Sequence, residues 1–273
     1  MKKLLFVLFI FLMICHCSNT TQPLSSQSGQ VVIQAYLFAG KPVNDVKISS
    51  LIPWHSRTKR MPINDAKVFI EKNNLVFELM QSPGDSGYYQ YNGSDLTVNA
   101  GDQFSLKVFY KNQTAFATTV VPSCPEIKNI SRDTLIYPQY PNRPPEHDSQ
   151  IKIEWDNEDE GDSLYYVVVR PKGHKELSIW NGYNPLPFGQ ESNYWLTGNE
   201  WTFYHYIIHF FNVKFAGEYV FYLYHINQEY ADLYKVRDVF QEHQTEAPTN
   251  IQNGYGIFTA FNCDSIRFFV KFE

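Results

Sequence analysis

From Gln30 to Val121 apolar and polar positions alternate in short runs, each closed by turn-forming residues. The run "FSLKVFY" is the clearest: Phe104, Leu106, Val108 and Tyr110 recur at every second position and so share one face of a strand. "VVIQAYLF", "DVKISSL", "AKVFIE", "LVFELMQ", "YYQY", "LTV" and "TAFATTVV" have the same strand-forming character. "EKNN", "SPGDSG" and "YNGSD" supply the turns between them. Many short strands at close spacing, with no helical period between them, predict an antiparallel sandwich over residues 30–122, and Gly87 followed by Tyr88, ahead of "VNAGDQFSL", suits a transthyretin-like or immunoglobulin-like Greek key. The two prolines of "VVPSCPE" then break the pattern and mark a domain boundary.

A second set of strands follows. In "SQIKIEWDNEDEGDSLYYVVV", Ile151, Ile153 and Trp155 lie on one face, an acidic turn follows, and a β-branched strand comes next. A tryptophan ending strand B ahead of "YYVVV" as strand C resembles fibronectin type III domains. "AGEYVFYLYHI" then stands for strand F and "SIRFFVKF" for strand G. Residues 123–273 are thus expected to form a fibronectin type III-like domain, making an all-β protein of two tandem β-sandwiches.

Between those last strands "NQEYADLYKVRDVFQEHQ" changes period. Asn227 suits an N-cap, Glu229 and Asp232 come early, Lys235 and Arg237 come late, and Tyr230, Leu233, Val236 and Phe240 form an apolar stripe. This predicts a helical insertion over residues 227–244; if Cys124 and Cys263 are bridged, the insertion and the acidic turn both face the domain junction. In "NIQNGYGIF", "NG" suits a turn with positive φ and Gly256 suits a close approach to a neighbour as the chain returns from the insertion.

The N-terminus reads as export machinery. "MKKLLFVLFIFLMICHC" has a basic start, apolar residues from Leu4 to Ile14, and small thiol residues at its end, the order of a signal peptide over residues 1–17. No later segment reaches about 18 uninterrupted apolar residues, so a transmembrane helix is not predicted. "SNTTQPLSSQSGQ" is polar and uncharged, as expected of a flexible tether over residues 18–29. Two endings are open: acylation of Cys17 as a lipid anchor, or conventional cleavage after it. Cys124 and Cys263 are the cysteines beyond the leader. In an oxidising compartment they are expected to form a disulfide, with two reduced buried thiols as the alternative; a bond closing so long a loop stabilises by roughly 3–5 kcal/mol.

Composition narrows the function. Removing Lys2 and Lys3 with the leader leaves 21 basic against 28 acidic residues, a net charge of −7. A chain this acidic, with no basic cluster longer than "RTKR", is a poor nucleic-acid binder. The 19 tyrosines and 21 phenylalanines favour β-structure, where tyrosine usually packs; a binding face is the alternative reading of the surplus.

"AYLFAGKPVNDVKISS", "PINDAKVFI", "SPGDSGYYQY", "VNAGDQFSLKV" and above all "NIQNGYGIF" resemble a Bacteroidota lipoprotein family classed as a domain of unknown function. The resemblance runs from about Gln30 to Phe269. Its members are commonly encoded beside TonB-dependent outer-membrane receptors. It implies a lipid-anchored outer-membrane protein, accessory to such a receptor, and supplies no catalytic residues. The family usually has a small residue before its acylated cysteine, where this chain has His16.

Motifs for chemistry are scarce. Asp156, Glu158, Glu160 and Gly161 imitate the start of an EF-hand loop, but its twelfth position is Val167, not glutamate; a loop-built calcium site and a solvated turn are both readings of it. His205 and His209 are four apart, yet their surroundings are aromatic and β-branched, which predicts a strand and packing instead of a zinc helix. G-x-S-x-G and a phosphate-binding glycine loop are both absent from the sequence, and no cofactor motif is found. The expected function is a non-catalytic envelope protein that binds a TonB-dependent receptor. The alternative is a surface glycan- or nutrient-binding module using Trp180, Tyr183, Tyr194, Trp195 and Trp201, which lie in a stretch rich in Gly, Pro and Asn.

Overall fold

The computed structural model describes residues 30–52, 60–137, 150–156, 163–172, 204–209, 213, 216–239 and 248–272. Seven strands come first: β1 (Val31–Phe38), β2 (Asp45–Ser50), β3 (Lys67–Lys72), β4 (Leu75–Gln81), β5 (Tyr88–Gln90), β6 (Gln103–Tyr110) and β7 (Gln113–Val120). They pair antiparallel in the order β1-β2-β5-β4-β3-β6-β7. Alternate residues of each point into one core, among them Ile33, Ile48, Ile70, Leu106 and Ala117. The face expected of β6 is the face observed: Phe104, Leu106 and Val108 are buried and Tyr110 is half-buried at the strand's end. Asn73 and Asn74 both take positive φ, 50° and 64°, giving the tight turn that joins β3 to β4.

"LTV" differs from its expectation. Leu96 and Val98 are buried, but their backbone is irregular. Here the backbone bonds go elsewhere: the Lys72 ammonium donates to Thr97 O at 2.8 Å and pairs with Asp102 at 2.5 Å, while Gly40 N donates to Val98 O. A three-residue run pinned this way is buried without joining a ladder.

The remaining elements are β8 (Ile127–Ile130), β9 (Thr134–Tyr137), β10 (Gln150–Trp155), β11 (Leu164–Pro171), β12 (His205–His209), β13 (Gly217–Ile226), helix α1 (Gln228–Val239) and β14 (Tyr255–Phe272). One sheet runs β12-β10-β8; facing it, β11, β13 and β14 pair in that order, with β9 parallel to β14. This is the strand grouping of a fibronectin type III domain, first, second and fifth strands against third, sixth and seventh. Trp155 ends β10 as expected and lies edge-on to Tyr165, with ring centres 5.9 Å apart, in a core with Ile151, Val167, Phe221 and Phe268.

The last strand changes the domain picture. β14 is 18 residues long and serves both bodies. Its first part pairs in parallel with β1, from Val32 against Tyr255 to Phe38 against Phe261. Its second part pairs antiparallel with β13, from Phe261 against Ile226 to Val270 against Gly217. Ile251, Phe258 and Ala260 are core residues of the first sandwich. The sequence reading, which placed all of residues 123–273 in the second domain and began strand G at Ser265, is corrected here. A strand that continues without a turn leaves no local mark where it changes partners.

β14 also seals the first sandwich. Just before it, Gln252 bridges Phe116 of β7 with two backbone bonds, and Asn253 Nδ2 reaches Thr114 O. The outer edge of β7 is thereby partly covered instead of left open to another chain. Asn253 supplies the positive φ of the "NG" turn, at 57°. Gly256 sits at φ +105°, where an added Cβ would lie 1.9 Å from the Ile33 carbonyl oxygen. Only glycine lets β14 lie this close to β1.

Gly256→Val is therefore expected to destabilise the protein by at least about 4 kcal/mol, with loss of a folded product as the extreme. Gly40 has a similar φ of +70° but open space around it, so Gly40→Ala should cost only about 1–2 kcal/mol. Parallel thermal melts check the ranking; equal losses would contradict the close approach of β14.

Candidate functional site

The side chains of β14 alternate without a slip through both bodies. Even-numbered Phe258 and Ala260 enter the first core, and Phe268 and Val270 enter the second, with Ile266 packed against it. Odd-numbered Ile257 and Phe261 face the other way, into a third apolar cluster. Between the two apolar stretches the core-side positions become polar. There Asn262 Nδ2 donates to Pro122 O at 3.0 Å, and Asp264 Oδ2 accepts from Ile127 N at 2.9 Å. These two residues hold the linker that passes from β7 to β8.

The third cluster covers the reverse side of this junction. It combines Tyr36 of β1, Leu164, Tyr166 and Val168 of β11, Ile226 of β13, Tyr230 and Ala231 of α1, and Ile257 and Phe261 of β14. Phe261 is its centre: Tyr230 meets it edge-on at 4.8 Å, and Phe38 stacks on it at 5.2 Å. Aromatic pairs of this kind contribute about 0.5–1.5 kcal/mol each beyond the area they bury. Phe38, Tyr222, Tyr224 and Leu233 pack around it half-buried.

Helix α1 is fastened to the first sandwich at its start. Asn227 is not a side-chain cap as its position suggested. Its carbonyl accepts from Tyr230 N and Ala231 N, while its amide donates to Thr119 Oγ1 at 3.0 Å and Val120 O at 2.8 Å. Thr119 Oγ1 in turn donates to Glu229 Oε1 at 2.9 Å. Tyr230 is fully buried and Leu233 half-buried, as the stripe predicts. The helix ends at Val239; Phe240 and the rest of the expected insertion lie outside the described residues.

Both body cysteines lie at the linker crossing. Cys124 is exposed, and its Sγ is 3.9 Å from the carbonyl oxygen of Cys263. Cys263 is half-buried, its Sγ 3.2 Å from Asp264 O, and both are free thiols. The expected disulfide is therefore not formed in this structure, though its two residues are neighbours. Burial pushes the Cys263 thiol up to about 12, only partly offset by a hydrogen bond with Tyr224. Burial, then the charges of Asp264 and Glu126, raise Cys124 as well. Both thiols are thereby held towards their protonated forms.

A hydroxyl and an imidazole also meet here. Ser123 Oγ is 3.2 Å from His225 Nδ1, but Ser123 O is closer, at 3.0 Å from the same nitrogen. A carbonyl accepts only, so Nδ1 carries the proton, and a nitrogen that donates there cannot take the hydroxyl's proton. The pair fastens the linker to β13 and is not a nucleophile with its base.

Elsewhere, His205 and His209 lie on β12, on the opposite face from buried Ile208, as a strand with four-residue spacing requires. Asp156 carries the acidic turn's first carboxylate and pairs with Lys128 at 3.5 Å; the rest of that turn lies outside the described residues. Among the described residues no group of three or more His, Cys, Asp or Glu side chains could hold a metal ion. Cys17, Trp180, Tyr183, Tyr194, Trp195 and Trp201 also lie outside them. On the outer face of the first sandwich, Phe69, Val76 and Phe109, with the Glu71–Lys107 pair, line a shallow depression of about 240 Å³. Phe116 and Val120 extend this exposed apolar surface along β7.

The family model for a domain of unknown function, DUF4249, matches residues 19–267, both sandwiches and the junction between them. The chain belongs to the DUF4249 family. No curated protein matches this DUF4249 sequence. Among solved structures, a two-domain fibronectin type III segment of chicken tenascin is similar at 11% identity and a TM-score of 0.25, covering 88% of this chain and 99% of that one. The first three fibronectin domains of chicken CNTN1 give 11% identity and a TM-score of 0.21 over 88% and 65%. A Ca2+-stabilized adhesin of an Antarctic bacterium gives 12% and 0.24 over 91% and 50%. At such scores the fold of the DUF4249 chain is read from its own strand order.

The residues that sequence reasoning missed are Asn262 and Asp264. Their signal was present: in "FTAFNCDSIRFFV" the apolar alternation of 258 and 260 resumes at 266, 268 and 270, with an Asn and an Asp filling the two steps between.

Asn262→Ala should strip the Pro122 carbonyl of its partner and lower stability by about 1–3 kcal/mol in thermal or urea melts. Folding raises the Cys263 pKa from 9.0 to about 12, so the stability carried by the neutral thiol is complete below pH 9 and lost as pH rises towards 12. In reduced protein at pH 8, alkylation of Cys263 should be slower than in the urea-unfolded chain by about a thousandfold, because each unit of pKa cuts the thiolate fraction tenfold. Equal rates would contradict its burial.

Proposed function

We propose that this protein is a non-catalytic cell-envelope lipoprotein, anchored through an acylated Cys17 in the outer membrane and accessory to a TonB-dependent receptor. The observation that carries the reading is the order of the N-terminus: a basic start, eleven apolar residues from Leu4 to Ile14, a cysteine at 17, and an uncharged polar tether before the first strand. A single acyl chain binds membranes only marginally, so stable anchoring requires the multiple acylation that an N-terminal lipoprotein cysteine receives. The family resemblance also supports it, since it points to receptor-linked lipoproteins.

Metabolic labelling with a palmitate analogue should mark the wild-type chain and leave Cys17→Ser unlabelled. Labelling that persists in Cys17→Ser, or is missing from wild type, overturns the anchor. Affinity purification from detergent-solubilised outer membranes should bring down a TonB-dependent barrel with the wild-type protein. Repeated recovery of the protein alone would reject the accessory role.

A further inference from the structure

We infer that Cys124 and Cys263 are the two halves of a cystine that bolts the inter-sandwich linker to β14. The argument is one of position. The chain passes from the first sandwich to the second twice, once through the linker after β7 and once along β14. One cysteine lies on each passage. The backbone on either side of Cys124 is already held against its neighbours: Pro122 O by Asn262, Ser123 O by His225, and Ile127 N by Asp264. Two of those three anchors are the residues flanking Cys263 on β14. The strand and the linker are thus in fixed register at the place where the sulfurs lie, and Cys124 Sγ already reaches 3.9 Å from the Cys263 carbonyl.

The chemistry is exchange with an external disulfide, R–S–S–R. The Cys124 thiolate, on the exposed side, attacks one sulfur and expels RS⁻, leaving a mixed disulfide. The Cys263 thiolate then attacks the Cys124 sulfur and expels the second RS⁻. The two cysteine protons finish on two RSH molecules, and two electrons pass from the cysteine pair to the oxidant. The second step is the slow one, because the Cys263 thiol is held far from its thiolate. A mixed disulfide at Cys124 therefore builds up first and decays into the bond.

The test uses the full wild-type chain, equilibrated with reduced and oxidised glutathione, quenched by acid and alkylation, and mapped by mass. The expected product joins the peptide of Cys124 to that of Cys263, lighter by two hydrogens than the reduced pair; mapping separates it from any product of Cys15 or Cys17. At one glutathione ratio, the ratio of linked to unlinked peptide should be at least about tenfold higher in native protein than in urea, since a native fold that accommodates the bond favours it by the same factor that the bond favours the fold. A native ratio equal to or below the urea value overturns the proposal. So does native protein that stops at glutathionylated Cys124 at equilibrium. Neither result bears on acylation of Cys17.

Discussion

The structure depends on one strand keeping its alternation over 18 residues. A strand's side chains point to opposite faces in turn, and a slip of one residue would exchange them all. In β14 the even positions must satisfy two separate cores, with Phe258 and Ala260 in one and Phe268 and Val270 in the other. Any slip would move both sets to the wrong side at once. The register of each sandwich therefore fixes the register of the other. The two bodies share a strand, and a continuous hydrogen-bonded sheet runs from β11 to β7 through both.

The junction shows how that strand is kept in place. Where neither core needs an apolar side chain, Asn262 and Asp264 bond the linker, and His225 and Asn227 hold its neighbours. Behind them, Phe261 collects the rings of Phe38, Tyr224 and Tyr230. Apolar packing at Phe261 on one face and directional bonds at Asn262 and Asp264 on the other restrain one short stretch of β14. Hinge motion between fibronectin-type neighbours is usual where a short linker is the sole tie; here a β-ladder crosses the boundary.

The strands themselves were legible because their signals are local. Alternation in "FSLKVFY", the two asparagines of "EKNN" and Trp155 ahead of "YYVVV" each act within a few residues, and the structure places β6, the β3–β4 turn and the second sandwich accordingly. The helix was legible for the same reason, from Tyr230 and Leu233 on one stripe. The partner of "YGIFTAF" was not. Its ladder is with β1, more than two hundred residues earlier in the chain, and parallel pairing has no turn to announce it. Gly256 could be read as a close approach, yet the neighbour approached, Ile33, is a fact of topology. Asn227 was misread because capping is the common use of an asparagine there, while a contact with Thr119 depends on how the two sandwiches meet.

The place of β14 in the first sandwich also sets an order of events. Domains tend to fold as units from the N-terminus during synthesis. In this chain the N-terminal body lacks its own closing strand, with Phe258 and Ala260 of its core, until β8 to β13 and helix α1 have been made. A nascent chain thus carries β1 and β7 with no strand between them, and finished architecture arrives for both halves together, once β14 has left the ribosome.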